Sequence, residues 1–256
     1  MKDAVTFVTR GLILRETPTK EADKILTVLT AELGKIGVIA RGVRRKSCKY
    51  AAAAQLLTYA ELTLYHRKDW FLLDDGTTVE QFAGLRQDLE LLALGSYFAE
   101  LTEAVTHAEV PAPESLPLLL NALYALEKLH RPPALVKAAF ELRLMRIAGY
   151  EPLVDGCVVC GAGEPREPRL DVRQGVLRCR ACGEKGEGLS LPLDDGSLAA
   201  LRHAVHGDPK RLYSFALDGA ALGRLSAAAE AFCMAQMERD FRTLDYYKLI
   251  KLPDLP

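Results

Sequence analysis

The 256 residues contain no apolar run approaching the ~18 that a membrane-spanning helix needs. The richest stretch, Leu116 to Leu129, is interrupted by Pro117, Asn121, Glu127 and Lys128. The opening residues MKDAVTFVTR have no apolar signal core, so the expectation is a cytoplasmic protein. Also missing are a phosphate-binding glycine loop, a dinucleotide fingerprint, a nucleophile elbow and an HExxH zinc motif. Asp74-Asp75 and Asp194-Asp195 are paired carboxylates, but each pair precedes a glycine and reads as turn or capping chemistry. His203 and His206 have no third metal ligand nearby in sequence. No internal repeat is present. These absences point to a protein that is not an enzyme and acts by binding. With 49% hydrophobic residues, disorder by low hydrophobicity is excluded as well.

What is present is unevenly distributed. The formal net charge is −1, yet residues 1–80 carry thirteen Lys/Arg against ten Asp/Glu, while later segments are slightly acidic. Within Lys35 to Lys49 there are six basic residues and no acidic one: Lys35, Arg41, Arg44, Arg45, Lys46 and Lys49. A polyanion is expected to land there, held through its phosphates in a salt-sensitive and sequence-tolerant way. Tyr50, Tyr59, Tyr65, Trp70 and Phe71 lie close by in sequence and offer stacking surfaces for bases. Arg10, Arg15, Arg67 and Lys68 extend the track if their strands are adjacent.

The hydrophobic pattern changes twice along the chain. Short β-rich runs at Phe7–Arg15, Ile25–Thr30, Ile36–Arg41, Ala60–His66 and Trp70–Leu73 suit a small closed barrel, with turns at Gly34-Lys35 and Asp74-Asp75-Gly76. An open sheet covered by helices is the alternative. From Gln87 the spacing becomes helical, with breaks at Pro111, Pro113 and Pro132-Pro133. Helices are predicted at Ser115–Leu129, Ala134–Ala148, Gly196–Val205 and from about Ala220 to Phe241. The resulting class is an α+β multidomain protein: an N-terminal five-stranded OB-type β-barrel (1–82), an α-helical domain (83–150 and 191–247), an inserted four-cysteine zinc-finger module (151–190) and a C-terminal tail (248–256).

Six cysteines without an export signal favour metal over disulfides. Cys157-Val-Val-Cys160 and Cys179-Arg-Ala-Cys182 are two CxxC pairs separated by eighteen residues, each followed by a glycine, Gly161 or Gly183. Four soft thiolates at this spacing suit one tetrahedral zinc ion, and four cysteines close the shell, so the ion is structural. Arg178, Arg180 and Lys185 offset thiolate charge or form a local basic edge. Cys48 and Cys233 are left over as idle thiols.

In this order the pieces resemble the RecO family of recombination-mediator proteins along nearly the whole chain. The likeness is carried by Gly11-Leu-Ile-Leu-Arg15 with Glu21-Ala-Asp-Lys-Ile25, and by the run from Gly34 to Lys46 (GKIGVIARGVRRK). It continues from Phe140 to Leu153 (FELRLMRIAGYEPL) into Cys157-Val-Val-Cys160-Gly161. The resemblance implies a DNA-repair protein of homologous recombination that binds single- and double-stranded DNA and anneals complementary strands. With RecR, such a protein helps load RecA onto DNA coated by single-strand-binding protein, whose acidic C-terminal tail it contacts through the helical domain; in the cell it associates with the nucleoid during repair. By the same resemblance Lys35 and Arg41, then Arg44, Arg45 and Lys46, contact DNA, and Cys157, Cys160, Cys179 and Cys182 hold zinc. Arg143 and Arg146, on an apolar helix, are candidates for meeting the acidic tail. The rival reading is a zinc-ribbon, OB-fold RNA-binding factor of transcription or translation.

Overall fold

A computed structural model of the chain describes residues 6–67, 70–183 and 188–251. Two compact units are formed, one from residues 1–127 with 241–256 and the other from 128–240. The helices predicted as one domain fall into both. Lys68, Lys185 and the end of the tail, 252–256, lie outside the described residues.

In the first unit five strands close into a barrel: β1 (Thr6–Thr19), β2 (Asp23–Thr30), β3 (Gly34–Ala40), β4 (Tyr59–Arg67) and β5 (Trp70–Glu80), in the order β1-β2-β3-β5-β4. Alternation decides the interior. Leu26, Val28, Ile36, Val38, Leu62 and Leu64 are each at most 2% exposed and form one core. Truncating one of them, such as Leu62 to alanine, costs about 3 kcal/mol. β1 serves two partners: Gly11 stands opposite both Thr30 of β2 and Ala60 of β4. A Cβ at Gly11 would lie 2.5 Å from Val28 Cγ1, so the strand curls here only because the residue has no side chain. Closure comes from the parallel pairing of Val38 and Ile39 with Phe71 and Leu72. One expectation is corrected: Asp74-Asp75-Gly76 is not a turn. β5 continues through it, with Asp75 opposite Thr63, Gly76 opposite Leu62 and a bulge between Thr63 and Leu64.

Among the described residues a short 3₁₀ turn, Ala83–Gln87, and three α-helices complete this unit: α1 (Leu89–Val105), α2 (Ser115–Glu127) and α7 (Arg242–Ile250). Asp88 caps α1 by accepting from the N–H groups of Glu90 and Leu91. The connection from β3 to β4 sends Val43, Ala53 and Ala54 into the barrel core, and Gly95 of α1 passes close to its Leu57. The predicted helix running from Ala220 through to Phe241 stops earlier, at Glu238 (φ 50°), and a separate α7 follows. Phe241 is 1% exposed and meets Tyr97 of α1 edge to face at 5.9 Å. Helix α7 thus runs through Ile250, into the first residues of the segment 248–256 assigned to a C-terminal tail.

The second unit holds α3 (Pro133–Ile147), α4 (Arg180–Gly183), α5 (Asp195–His206), α6 (Gly219–Met237) and a three-stranded sheet of β6 (Pro168–Asp171), β7 (Val176–Cys179) and β8 (Ser190–Pro192), ordered β7-β6-β8. Pro133 opens α3 at a position where its missing N–H has no partner to lose. Gly149 follows the helix end at φ +90°. Asp194 and Ser197 form a reciprocal capping box on α5, as the capping reading of Asp194-Asp195 expected. Leu225 and Phe232 bury the face of α6, joined by Cys233 at 0% exposure.

Candidate nucleic-acid interface and metal centre

The connection from β3 to β4 carries the basic run. Its first turns are held by backbone bonds from Arg44 N–H to Ala22 O (3.0 Å) and from Cys48 N–H to Arg45 O (3.0 Å), and Gly42 N–H is bonded to the Asp23 carboxylate (2.7 Å). Val43 is buried, while Arg41, Arg44, Arg45, Lys46 and Lys49 are exposed. Arg44 Nη1 donates to Glu21 O at 3.3 Å, and none of the five forms an ion pair with a described residue. The connection is thus a stretch of positive potential with its charge turned to solvent.

Lys35 is different. Its Nζ donates to the Glu103 carbonyl at 2.6 Å, near the C-terminal end of α1, while Arg15 pairs with the Glu103 carboxylate at 2.7 Å. Partial burial holds the Lys35 ammonium below the ordinary lysine range, opposed by Glu103 and reinforced by Arg15. Of the six cations the sequence grouped, this one joins barrel to helix. Among the aromatics, Tyr50 and Phe71 pack against the barrel core, and burial raises the Tyr50 phenol, so its ring is not a free stacking surface. Trp70 is 42% exposed.

In the second unit the two CxxC pairs converge. The sulfurs of Cys157, Cys160, Cys179 and Cys182 all lie within 4.8 Å of one another. The first pair sits in a loop closed by bonds from Cys157 N–H to Ala162 O (2.9 Å) and from Gly161 N–H to Cys157 O (2.8 Å), with Gly161 at φ +73°. The second pair spans the end of β7 and the single turn of α4. Thiolates ~2.3 Å from a tetrahedral ion stand ~3.8 Å apart; Cys160 Sγ and Cys179 Sγ are 3.8 Å apart. The N–H of Cys179 donates to Cys157 Sγ at 3.3 Å, the orienting bond that thiolate ligands use.

Proton affinities in the quartet fit a cation site. Burial opposes ionisation of Cys157, but N–H donation from Cys160, Cys179 and Val159 outweighs it and brings the thiol to about 6. Sharing a proton with Cys160, together with burial, pushes Cys182 up to about 12, and burial raises Cys179. Four sulfurs this close cannot all ionise unless a positive charge sits among them. The quartet can hold a metal ion. The arginines beside it face carboxylates: Arg178 with Asp171 at 3.7 Å and Arg180 with Glu167 at 3.3 Å, so neither presents a bare basic edge.

Arg143 and Arg146 both reach the C-terminal end of α5. Arg143 is 3% exposed and donates to Ala204 O (2.7 Å), Gly207 O (2.7 Å) and His203 O (3.4 Å). Arg146 donates to Val205 O at 2.8 Å and lies 3.4 Å from Glu151. Arg143 is thereby committed to the helix cap, and only Arg146 keeps a partly exposed head. Sequence reasoning missed a buried assembly on α3: Lys137 Nζ lies 2.8 Å from Glu141 and 2.8 Å from Glu230. Its signal was a Lys and a Glu four apart in an otherwise apolar helix.

The chain is a multidomain α+β protein with an OB-type barrel, a solvent-facing cationic connection and a cysteine quartet able to hold a metal ion. Known families and proteins match the sequence. The family models described as Recombination protein O N terminal and Recombination protein O C terminal match residues 1–82 and 86–245. The chain is 31% identical over 242 residues to the DNA repair protein RecO of Acetivibrio thermocellus, covering 94% of this chain and 96% of that one. It is 30% identical over 244 residues to the DNA repair protein RecO of Symbiobacterium thermophilum (94% and 96%). Against that of Anaeromyxobacter dehalogenans it is 36% identical over 200 residues (77% and 78%). The chain belongs to the recombination protein O family.

Proposed function

We propose that this protein acts in DNA repair by homologous recombination. It binds single- and double-stranded DNA through the connection from Arg41 to Lys49, anneals complementary strands and, with RecR, helps load RecA onto DNA coated by single-strand-binding protein. The observation that carries the reading is the set of five exposed cations on one connection of an OB-type barrel, none ion-paired with a described residue. Family membership and the printed names of the relatives support the repair role.

Annealing breaks and makes no covalent bond, so a binding surface is all that it needs. Two strands repel through their phosphates, and a surface that displaces counterions from both lowers the barrier to their meeting. The cations of the connection are suited to this because they bring no competing carboxylate. Zinc is the metal that four clustered thiolates fit best, held by Cys157, Cys160, Cys179 and Cys182. With the ion bound, the quartet ties the loop of the first pair to the end of β7 and contributes folding free energy, not reactivity. Contact with an acidic partner tail falls to Arg146 of the two arginines, since Arg143 is enclosed.

The test is a strand-annealing assay with complementary oligonucleotides, bare or coated with single-strand-binding protein. Faster annealing by the native chain is expected, with the gain lost in the triple variant Arg44→Glu, Arg45→Glu, Lys46→Glu. A folded native chain that leaves annealing at its spontaneous rate in dilute buffer overturns the reading. Elemental analysis of the purified protein should find one zinc per chain.

A further inference from the structure

The chain has one tryptophan, and it sits on the outside of the barrel. Trp70 opens β5 directly before Phe71, which packs onto the barrel core, so alternation along the strand turns the indole outward. Its six-membered ring lies over Gly37 of β3: a Cβ built on Gly37 would stand 3.2 Å from Cζ3 and 3.6 Å from Cε3. The ring therefore lies against bare backbone at Gly37, and 42% of the residue remains exposed.

Strand register extends the same surface. Gly37 stands opposite Thr27 of β2, and Thr27 opposite Arg15 of β1, while the flanking Leu26, Val28, Ile36 and Val38 point into the core. The row Arg15, Thr27, Gly37, Trp70 has an exposed guanidinium at one end and a flat π-surface at the other, with no bulky side chain between them. At ~3.3 Å per residue, β3 carries the chain from Gly37 to Arg41 in about 13 Å. The indole and the cationic connection are thus within reach of one short stretch of extended strand.

We propose that the outer face of Trp70 is a stacking site for one unpaired base of a polynucleotide whose phosphates lie along Arg41, Arg44, Arg45 and Lys46. The proposal rests on the nucleic-acid reading of the barrel given above. Every base has a π-face, so such a site tolerates sequence. In a duplex those faces are already stacked on neighbouring pairs, so the site takes single strands only. It gives the connection, whose charge attracts either form, a preference for the strand that has yet to anneal.

Because Trp70 is the sole tryptophan, the emission of the native chain reports this site alone. The experiment titrates the full chain with a dye-labelled thymidine oligonucleotide, following binding by dye anisotropy and the site by tryptophan emission. Quenching in step with binding is expected. Trp70→Ala should weaken single-strand binding about tenfold, within the range of about 5- to 150-fold that one base–aromatic stack represents, and Trp70→Phe about threefold. Duplex affinity should change less than about twofold, because its bases do not reach the ring. Gly37→Val, whose methyls fall where the ring rests, should weaken single-strand binding too. If the oligonucleotide binds with emission unchanged and both Trp70 variants bind like the native chain, the stacking site is refuted and the ring belongs to a protein interface. In that event, loss of binding in the Arg44, Arg45, Lys46 charge-reversal variant keeps the nucleic-acid reading standing by itself. A native chain that binds no oligonucleotide in dilute buffer removes both. Should Trp70→Ala fail to fold, Trp70→Phe and the native emission decide.

Discussion

Arg45 and Arg143 carry the same guanidinium, and the two units of the protein put it to opposite uses. On the connection from β3 to β4, Arg45 is exposed with no carboxylate partner among the described residues. On α3, Arg143 is 3% exposed and holds the carbonyls that end α5. The contrast runs through the molecule. Residues 128–240 turn polar chemistry inward, in the sulfur quartet, the Lys137 assembly and the arginine caps. The barrel turns it outward. A cation enclosed around helix carbonyls stabilises a fold but is out of reach of a ligand, whereas an exposed one adds little stability and remains available.

The largest way to test this contrast is to dismantle the quartet. Cys157→Ser with Cys160→Ser, or removal of metal by a chelator, should lower stability by about 4 kcal/mol or more, about 10 °C in melting temperature. Calorimetry should show that loss while oligonucleotide affinity stays within about twofold. Unchanged melting with abolished binding would move the metal centre into the binding surface.

Next in size is Lys137→Met, which removes the cation lying 2.8 Å from both Glu141 and Glu230 and should cost about 3 kcal/mol. The pH dependence has a definite sign. Burial lowers the Lys137 ammonium, but Glu141 and Glu230 outweigh it and hold it above the ordinary lysine value. Its contribution is then fully present below that value and fades as pH climbs through the raised one. Denaturant titrations of native and variant chains should converge in strongly alkaline buffer and differ near neutrality.

Charge reversal at Arg44, Arg45 and Lys46 should leave stability within about 0.5 kcal/mol, as for exposed side chains. It should reduce the slope of log affinity against log salt by about 2, from three phosphate contacts at ~0.7 each. A variant that melts early but binds normally would invert the contrast. The smallest effect is expected at Asp194. Donation from Ser197 N–H, followed by Arg224, holds this carboxyl below the usual range. Asp194→Ala should cost about 1 kcal/mol, a difference that disappears as acid protonates the native carboxyl.

The strands were legible because β-branched and apolar residues alternate in them, and the barrel followed from five such runs before any helical spacing. β5 was cut short because Asp74-Asp75-Gly76 has turn composition, and only pairing with Thr63 and Leu62 across a bulge keeps it extended. α7 was overlooked for a similar reason. Its buried residues, Leu244 and Tyr247, are few, and they join a core built mainly from α1, well over a hundred residues earlier in the chain. The basic run was visible as charge. That Lys35 differs from its neighbours was not, because its partner is a backbone carbonyl at Glu103, and backbone groups leave no trace in a residue pattern.

The sequence by itself determined the two cysteine pairs that the fold brings together and the sign of the charge. Each CxxC spacing brings two thiols together locally, and six cations without an acid between them are basic in any fold. The tertiary structure decided which of those cations face water, which arginines close a helix end, and that the lone indole rests on a glycine of another strand. Each of these depends on what a distant segment places within a few ångströms, and that distance is set by burial of the core, not by spacing along the chain.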